Sequence, residues 1–375
     1  MAISFLLIAI YLISPSFISA STQKPKHFSC NTSNPIDRCS GWCDITNGRA
    51  NRKTLADCGI GFGKNANGGK AGSIYVVTRD DDPDSVNPPP GTLRYAVIQT
   101  EPLWIMFKQD TNIVLQQELI MNSHKTIDGR GRNVKITGCS GITVQSVHNI
   151  IITGVTVTKM VPCGDALVRS SPQQYGYRGL TDGDGISIFA GSKDIWIDHC
   201  TLSDCSDGLI DIVLASTAIT VSNCHFSNHN EVMLLGHSDS YIEDKIMQVT
   251  IAYNYFGENL NQRMPRGRHG YIELINNYYP NGWGMYAVGG SACPTIISIG
   301  NIFVAPNNRY SKQVTHHQNE DKSKWEHCTW SSDNDMMLNG AFFTTSGSSY
   351  ARAMSMGIES TSDVVALTAN AGALY

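Results

Sequence analysis

The sequence predicts an all-β fold: a single-stranded, right-handed parallel β-helix with a Cys-rich N-terminal arm and a C-terminal packing segment. Six short segments alternate branched apolar with polar residues and then give Asn, His or Gly, as strands followed by tight bends do. They begin at Ile150, Ile195, Ile219, Val249, Ile272 and Ile296. After a first gap of 45 residues, the steps are 24, 30, 23 and 24. Such a period is typical of stacked coils rather than of one closed sheet.

Composition supports one elongated domain over residues 21–375. The chain has 375 residues, of which 41% are hydrophobic and only 16% charged, so it can bury a long continuous core. Its formal net charge of −4 gives no general attraction to nucleic acid or to an acidic membrane surface. Any polyanionic partner must therefore be bound at a local site.

Residues 1–20 are typical of a secretory signal peptide. An apolar stretch around Phe5 to Ile13 is followed by Ser14 and Pro15, and the segment ends with small residues. No other segment is long and apolar enough to span a bilayer. We expect an exported, extracellular protein.

The arm, residues 21 to about 70, concentrates cysteines. Eleven cysteines in the chain fit an oxidising compartment, and an odd total leaves at least one thiol unpaired. Cys58 closes a loop with either Cys39 or Cys43. Cys200 and Cys224 occupy the same phase of adjacent coils and either stack as free thiols or pair. No cysteine spacing matches a zinc site.

The arm also carries a glycosylation sequon, and the far end of the chain loses the coil period. The sequon is Asn31-Thr32-Ser33. The coil stack is expected over residues of about 70 to 305. Residues 306–375, with Trp325, Trp330, Phe342 and Phe343, should pack back on the stack, because an open solenoid end would leave strand edges unpaired.

Several carboxylates fall in register on neighbouring coils. Asp184 lies 11 residues before Ile195 and Asp207 lies 12 before Ile219. Asp211 shares strand parity with Asp207, and Asp182 shares it with Asp184. Like charges about 5 Å apart repel by roughly 3 kcal/mol at an effective dielectric of about 20, so we expect a hard cation, calcium, between them. The alternative is that these residues are solvated turn formers.

Two arginines follow the acidic residues along the stack. Arg263 lies 9 residues before Ile272, a phase between those of Asp207 and Asp211, two coils further on. Arg268 could bind a carboxylate with two parallel hydrogen bonds. Three arginines fall within the six residues from Arg263 to Arg268, and this run taken alone favours an ordinary solvent-facing cluster.

Asp198 beside His199 suggests a catalytic pair, but neighbours in a strand point to opposite faces, which favours a structural role for His199. No GxSxG motif supports a nucleophilic serine, so serine hydrolysis is not indicated.

Many ordered motifs resemble the plant pectate lyase family, including its pollen-allergen members. They are Leu55-Ala56-Asp57-Cys58, Gly91-Thr92-Leu93-Arg94-Tyr95, Thr126-Ile127-Asp128-Gly129-Arg130-Gly131, Asp182-Gly183-Asp184-Gly185-Ile186-Ser187, Trp196-Ile197-Asp198-His199, Asp207-Gly208-Leu209-Ile210-Asp211, Val232-Met233-Leu234-Leu235-Gly236-His237, Gln262-Arg263-Met264-Pro265-Arg266, Ala287-Val288-Gly289-Gly290-Ser291 and Gly300-Asn301. Together they cover most of the chain after the expected signal peptide.

The resemblance implies calcium-dependent cleavage of de-esterified homogalacturonan, the pectate polysaccharide polygalacturonate, by β-elimination to 4,5-unsaturated products. By motif, it implies that Asp184, Asp207 and Asp211 bind calcium, with Asp182 near them. Arg263 would be the base that removes the C5 proton, and Arg268 would hold substrate. A monomer is the expected state.

One position departs from the resemblance. Where many family members read His-Asp-Lys-Val-Met-Leu, this chain has Asn230-Glu231-Val232-Met233-Leu234. The family lysine contacts a substrate carboxylate, so Glu231 is expected to replace attraction with repulsion. The alternative function is therefore a catalytically impaired, secreted wall protein or pollen allergen that binds pectate.

Overall fold

The computed structural model describes residues 32–42, 51–318, 321–348 and 352–375. The expected signal peptide, Asn31 of the sequon, Cys30 and Cys43 lie outside the described residues. None of the helices in the described part of the chain has the length and apolar character that a bilayer crossing requires.

Three long sheets, paired in parallel throughout, form a parallel β-helix. The first sheet has ten strands: Ser73–Val77, Leu103–Phe107, Lys125–Asp128, His148–Thr153, Lys193–Asp198, Thr217–Ser222, Gln248–Ala252, Tyr271–Ile275, Thr295–Ile299 and Trp330–Asp333. The second has nine: Thr111–Leu115, Val134–Cys139, Val155–Val161, Thr201–Ser203, His225–Ser227, Tyr255–Phe256, Tyr278–Tyr279, Ile302–Val304 and Met336–Leu338. The third has eight: Leu119–Ile120, Ile142–Gln145, Ile186–Phe189, Ile210–Ile212, Met233–Leu235, Arg266–Gly267, Val288–Gly290 and Thr315–His317.

The remaining elements are short. Two further two-stranded sheets pair Ala166–Ser171 with Gln174–Arg178, antiparallel, and His229–Glu231 with Leu260–Gln262, in parallel. The α-helices are Pro35–Arg38, Leu93–Val97, Lys322–Trp325 and Val364–Leu367, and the 3-10 helices are Arg52–Cys58, Ile242–Ile246 and Thr361–Asp363. The helix Leu93–Val97 packs on the first strands of the stack and buries three of its five side chains in the core, so it closes that end of the solenoid.

The predicted coil register is confirmed in the first sheet. The first residues of the six repeated segments pair directly: Ile150 with Ile195, Ile195 with Ile219, Ile219 with Val249, Val249 with Ile272, and Ile272 with Ile296. All six side chains lie in the main hydrophobic core. Burial of these branched residues at about 25 cal/mol per Å² stabilises the stack and fixes its register, because a slip of one residue would turn them all outward.

The stack extends beyond its predicted end at about residue 305. Trp330 pairs with Ile296, and the last strands of the other two sheets, Met336–Leu338 and Thr315–His317, also continue the ladder. A longer connection before Trp330 hides the period in the sequence. The terminal segment does pack back on the stack, since Ser355 bonds Glu273 and the Ala373 N–H donates to Thr201.

The disulfides resolve the open cysteine assignments. Cys58 pairs with Cys39, not with Cys43. Among the cysteines that the structure describes, Cys200 and Cys224 are buried free thiols, Cys205 is a third free thiol, and the further disulfides are Cys139–Cys163 and Cys293–Cys328.

The arm and the returning C-terminal segment cover the outer face of the first sheet. A second apolar cluster joins Trp42 and Leu55 of the arm, Trp196 of the first sheet and Leu367 near the C-terminus. The candidate site lies elsewhere, on the outward side of the third sheet.

Candidate active site

One outward-facing row of the third sheet carries the candidate site. Thr143, Ser187, Asp211, Leu234 and Arg266 are successive register partners along it. Their chain neighbours point into the core, so alternation turns this row outward. Parallel strands lie about 4.8 Å apart, which places Asp211 two rungs, about 10 Å, from both Thr143 and Arg266.

The structure brings the predicted carboxylates together in one groove. Asp182, Asp184, Asp207 and Asp211 all line a cavity of about 320 Å³ on this face. Asp184 is held by the Ser187 hydroxyl, which donates to its Oδ2 at 2.8 Å, and by the Gly208 N–H, which donates to its Oδ1 at 2.9 Å.

Gly208 leaves room between two of these carboxylates. A Cβ added at Gly208 would lie 2.1 Å from Asp211 Oδ1 and 3.3 Å from Asp184 Oδ1. Both oxygens therefore face the same space beside the glycine. A side chain at this position would fill the cradle that the two carboxylates form.

Two of these carboxylates, Asp184 and Asp211, have destabilised charged forms. Burial raises the pKa of Asp184 to about 6, with Asp207 and Asp182 adding to the rise and the Ser187 hydroxyl opposing it. Burial also raises the pKa of Asp211 well above its usual range, with Asp184 and Asp207 adding to the rise and Arg263 opposing it. The Oδ1 atom of Asp211 is buried and has no hydrogen-bond partner among the described residues. A bound cation would relieve both costs.

The donor set of this groove fits calcium. Carboxylate oxygens in loose arrangement are the ligands that Ca²⁺ prefers, whereas zinc and copper select imidazole and thiolate. The other cluster of candidate ligands in the described part of the chain, Cys293, His327 and Cys328, offers no such site because its two cysteines are joined as a disulfide.

Arg263 lies beside the acidic groove. It follows the strand Leu260–Gln262 in the left-handed backbone region, with φ of 62°, and its carbonyl accepts the Met233 N–H at 2.7 Å. The side chain of Arg263 is 18% exposed, and its charge opposes the rise in the pKa of Asp211.

Glu231 is the ion-pair partner of Arg263. Glu231 Oε1 lies 2.9 Å from Arg263 Nη2 and also accepts from Gln262 Nε2 at 3.3 Å. The expected repulsion toward a substrate carboxylate is therefore reduced, because the charge of Glu231 is neutralised within the protein. The spacing of residues in the sequence did not reveal this pair.

Arg268 and Arg266 continue the site along the stack. Arg268 Nη1 donates to the Gly236 carbonyl at 2.6 Å, and its Nε lies 3.5 Å from Asp239 Oδ1. Burial, together with Arg266, lowers the pKa of Arg268.

Arg266 is a functional candidate that the sequence interpretation missed. It is 9% exposed, its Nη2 donates to Ser291 Oγ at 3.3 Å, and its Nε is buried with no hydrogen bond to a described residue. Burial lowers the pKa of Arg266, and Arg263 adds to that effect. Extending the register from Asp211 through Leu234 by one more rung would have found it.

The structural role of His199 is confirmed. The ring is fully buried, with Nδ1 2.6 Å from Asp198 Oδ2 and Nε2 3.1 Å from Asp37 Oδ1. Burial alone would lower the pKa of His199, but the two carboxylates outweigh it and raise the pKa to about 10. His199 thus ties the arm to the first sheet and takes no part in the groove.

Comparison with known families gives one consistent match. A family model described as pectate lyase matches residues 52–374. The Arabidopsis thaliana protein named "Probable pectate lyase 20" is 58% identical over 360 residues, covering 95% of this chain and 85% of the relative. A pectate lyase from Zinnia elegans is 57% identical over 361 residues, covering 95% and 89%.

Solved structures agree with this match. The cedar-pollen major allergen jun a 1 superposes with a TM-score of 0.88 at 43% identity, covering 91% of this chain and 100% of the allergen. A pectate lyase from Bacillus sp. N165, solved in complex with trigalacturonate, has a TM-score of 0.59 at 20% identity, covering 84% and 98%. The bacterial likeness concerns the fold alone.

Proposed function

Because the chain belongs to the pectate lyase family, we propose that it is a calcium-dependent lyase that cleaves de-esterified homogalacturonan by β-elimination. The observation that carries this proposal is the uncompensated carboxylate cluster beside an arginine. Asp184 and Asp211 face one space across Gly208, both have raised pKa values, and Arg263 is close enough to act on Asp211.

Asp184, Asp207 and Asp211 would hold the calcium ion, with Asp182 at the exposed rim of the groove. When bound, calcium would neutralise the uronate carboxylate next to C5 and would stabilise the enolate-like charge that develops there. The Gly208 N–H and the Ser187 hydroxyl fix the orientation of Asp184 toward this position.

Arg263 is the proposed base and Arg268 the proposed substrate-binding residue. In β-elimination the C5 proton passes to the base, the C4–C5 double bond forms, and the C4–O bond breaks, so that the leaving oxygen departs with its electron pair and takes up a proton. A guanidinium must first give up a proton to act as a base, so we expect the rate to rise toward alkaline pH.

The direct test is to incubate the secreted protein with polygalacturonate and calcium and to follow ultraviolet absorbance from the unsaturated product. We expect a steady rise that EDTA abolishes and that added calcium restores. A rate that EDTA leaves unchanged would overturn calcium dependence, and no unsaturated product at any pH would overturn the lyase reaction.

A second candidate function is a wall protein that binds pectate but cleaves it slowly. The observation in its favour is the Glu231–Arg263 ion pair of 2.9 Å, which occupies the proposed base. The variant Glu231→Lys separates the two functions, with Glu231→Gln as the neutral control. A large gain in activity for the lysine variant supports impairment, whereas high activity of the unmodified protein rejects it.

We also propose that the protein acts outside the cell, as a monomer in the cell wall, where its polysaccharide substrate is found. The disulfides Cys39–Cys58, Cys139–Cys163 and Cys293–Cys328 support export, because such bonds persist in oxidising compartments.

A further inference from the structure

A fourth arginine, Arg178, lies at the opposite end of the acidic groove from Arg263, Arg266 and Arg268. Arg178 is the last residue of the antiparallel hairpin formed by Ala166–Ser171 and Gln174–Arg178. Its side chain lines the same 320 Å³ cavity as Asp184 and Asp211. Among the described residues that line this cavity, it is the one arginine or lysine.

The hairpin aims Arg178 at the groove. Side chains alternate between its two faces, and Val168, on the same face as Arg178, is buried against the body of the protein. Tyr175 and Tyr177, on the other face, are 54% and 67% exposed. The Arg178 guanidinium therefore lies on the inward face of the hairpin and points into the groove.

A buried carboxylate orients this guanidinium. Arg178 Nε and Nη2 both donate to Glu118, the latter to Oε2 at 3.1 Å, and Glu118 is only 3% exposed. The Thr143 hydroxyl also donates to Glu118 Oε2, at 2.9 Å. Thr143 lies on the same row as Ser187 and Asp211, so Glu118 fixes Arg178 to this row.

Part of the guanidinium remains available to a ligand. Arg178 Nη1 makes no hydrogen bond to any described residue, and the side chain is 28% exposed. The two N–H groups of Nη1 can donate to a carboxylate that approaches along the groove.

We propose that Arg178 binds a uronate carboxylate at the Thr143 end of the groove, as the counterpart of Arg266 and Arg268 at the other end. This inference rests on the proposed function in taking a polyuronate as the ligand. Each unit of such a chain carries a negative charge, and a protein with a net charge of −4 must compensate those charges locally. A chain that spans the groove therefore meets cationic side chains on both sides of Asp184, Asp207 and Asp211.

The test compares binding of de-esterified hexagalacturonate by calorimetry in the presence of calcium, in an Arg263→Ala background that keeps the ligand intact. We expect Arg178→Gln to weaken binding about fivefold or more and to reduce its salt dependence, as the loss of one charge contact does. The matched control is Arg132→Gln, an exposed arginine in the connection between the first and second sheets, which should bind as the parent does.

A structural role must be separated from a binding role, because Arg178→Gln leaves Glu118 buried without its cation. The double variant Glu118→Gln with Arg178→Gln removes both charges, and it also provides the comparison if the single variant unfolds early. We expect its binding to stay weak. Parental affinity in the double variant would overturn the proposal, since Arg178 would then merely neutralise Glu118.

Ligand chemistry and lyase activity complete the test. The methyl-esterified hexamer, which lacks the charges, should bind the parent and Arg178→Gln equally weakly, and an equal loss for both ligands would overturn the carboxylate contact. The lyase assay of the unmodified protein tests the proposed function separately. If the protein is active but Arg178→Gln binds the hexamer as tightly as the parent, only this inference is refuted. If the protein is inactive but Arg178→Gln binds the hexamer more weakly, only the lyase function is refuted.

Discussion

Behind the first sheet, Asp37 and Asp198 enclose His199, whereas on the third sheet Asp184 and Asp211 face a common space across Gly208. In the first cluster the carboxylates raise the pKa of the imidazole to about 10, so the charges there compensate one another. In the second, burial raises the pKa values of Asp184 and Asp211, and the neighbouring carboxylate of Asp207 adds to both rises. The two clusters use the same side chain with opposite electrostatic results.

A third cluster follows the first pattern. Burial would raise the pKa of Asp128, but Arg130 and Arg52 outweigh it and lower the pKa to about 2. Arg52, from the arm, lies 3.0 Å from Asp128 Oδ1. The fold therefore neutralises buried carboxylates where they hold the arm in place. The groove of the third sheet differs, because burial and neighbouring carboxylates raise the pKa values of Asp184 and Asp211 there, a pattern typical of a functional site.

The largest expected effect is the loss of catalysis on removal of the proposed base. We expect Arg263→Ala to lower kcat on polygalacturonate about 10³-fold, within the range that a general base contributes. The thermal unfolding temperature should fall only modestly, because Arg263 lies outside the core and its ion-pair partner Glu231 is 25% exposed to water. Arg132→Ala serves as the control, and near-parental kcat in Arg263→Ala would contradict the assigned role.

The next effect breaks the compensated cluster. His199→Gln leaves Asp37 and Asp198 buried without a cation, so we expect a loss of about 3 kcal/mol in the free energy of unfolding, at the lower end for broken buried pairs. Calcium affinity should be unchanged. The exposed His148→Gln is the matched control in the first sheet, and equal stability of the two variants would show that the His199 pair contributes nothing.

The same cluster predicts a pH dependence. The folded pKa of His199, about 10, lies above the ordinary value of 6.5, so its stabilisation is complete below about pH 6.5 and is lost as pH rises toward 10. Thermal unfolding measured across this window should show the difference between the unmodified protein and His199→Gln shrinking with pH. A difference that stays constant would mean that His199 is not protonated in the folded state.

Removing a charge from the carboxylate cluster of the third sheet should stabilise the fold, whereas removing His199 destabilises it. Asp211→Asn removes a buried charge, so we expect a higher unfolding temperature without calcium and a calcium affinity at least about tenfold lower, equivalent to about 1.4 kcal/mol. The exposed Asp80→Asn is the control for a change of one charge. If Asp211→Asn is less stable than the parent and binds calcium equally well, Asp211 stabilises the fold, as Asp37 and Asp198 do, and does not bind calcium.

The sequence predicted the coil register well and the side-chain pairings poorly, for a physical reason. Register follows from inward-facing branched residues, so Ile195 and Ile219 could be aligned by counting. The end of the stack was missed because a long connection precedes Trp330. Ion pairs such as Glu231–Arg263 depend on where side chains bend after they leave the backbone, which residue spacing does not specify.

Arg178 shows a second limit of spacing arguments. The first gap of 45 residues between repeated segments contains the hairpin that carries it, so its position relative to Asp184 depends on how that excursion folds back. The sequence also left two possible partners for Cys58, because Cys39 and Cys43 lie at similar distances from it along an arm that has no coil period. Regular coils can be predicted by counting, whereas excursions from them cannot.

The most direct test of the contrast between compensated and uncompensated carboxylates is a crystal structure of the protein soaked in calcium. We predict one ion in the third-sheet groove, with carboxylate oxygens of Asp184, Asp207 and Asp211 at roughly 2.3–2.6 Å, and none at Asp37 and Asp198. Calcium bound elsewhere, with those three carboxylates turned apart, would contradict the account.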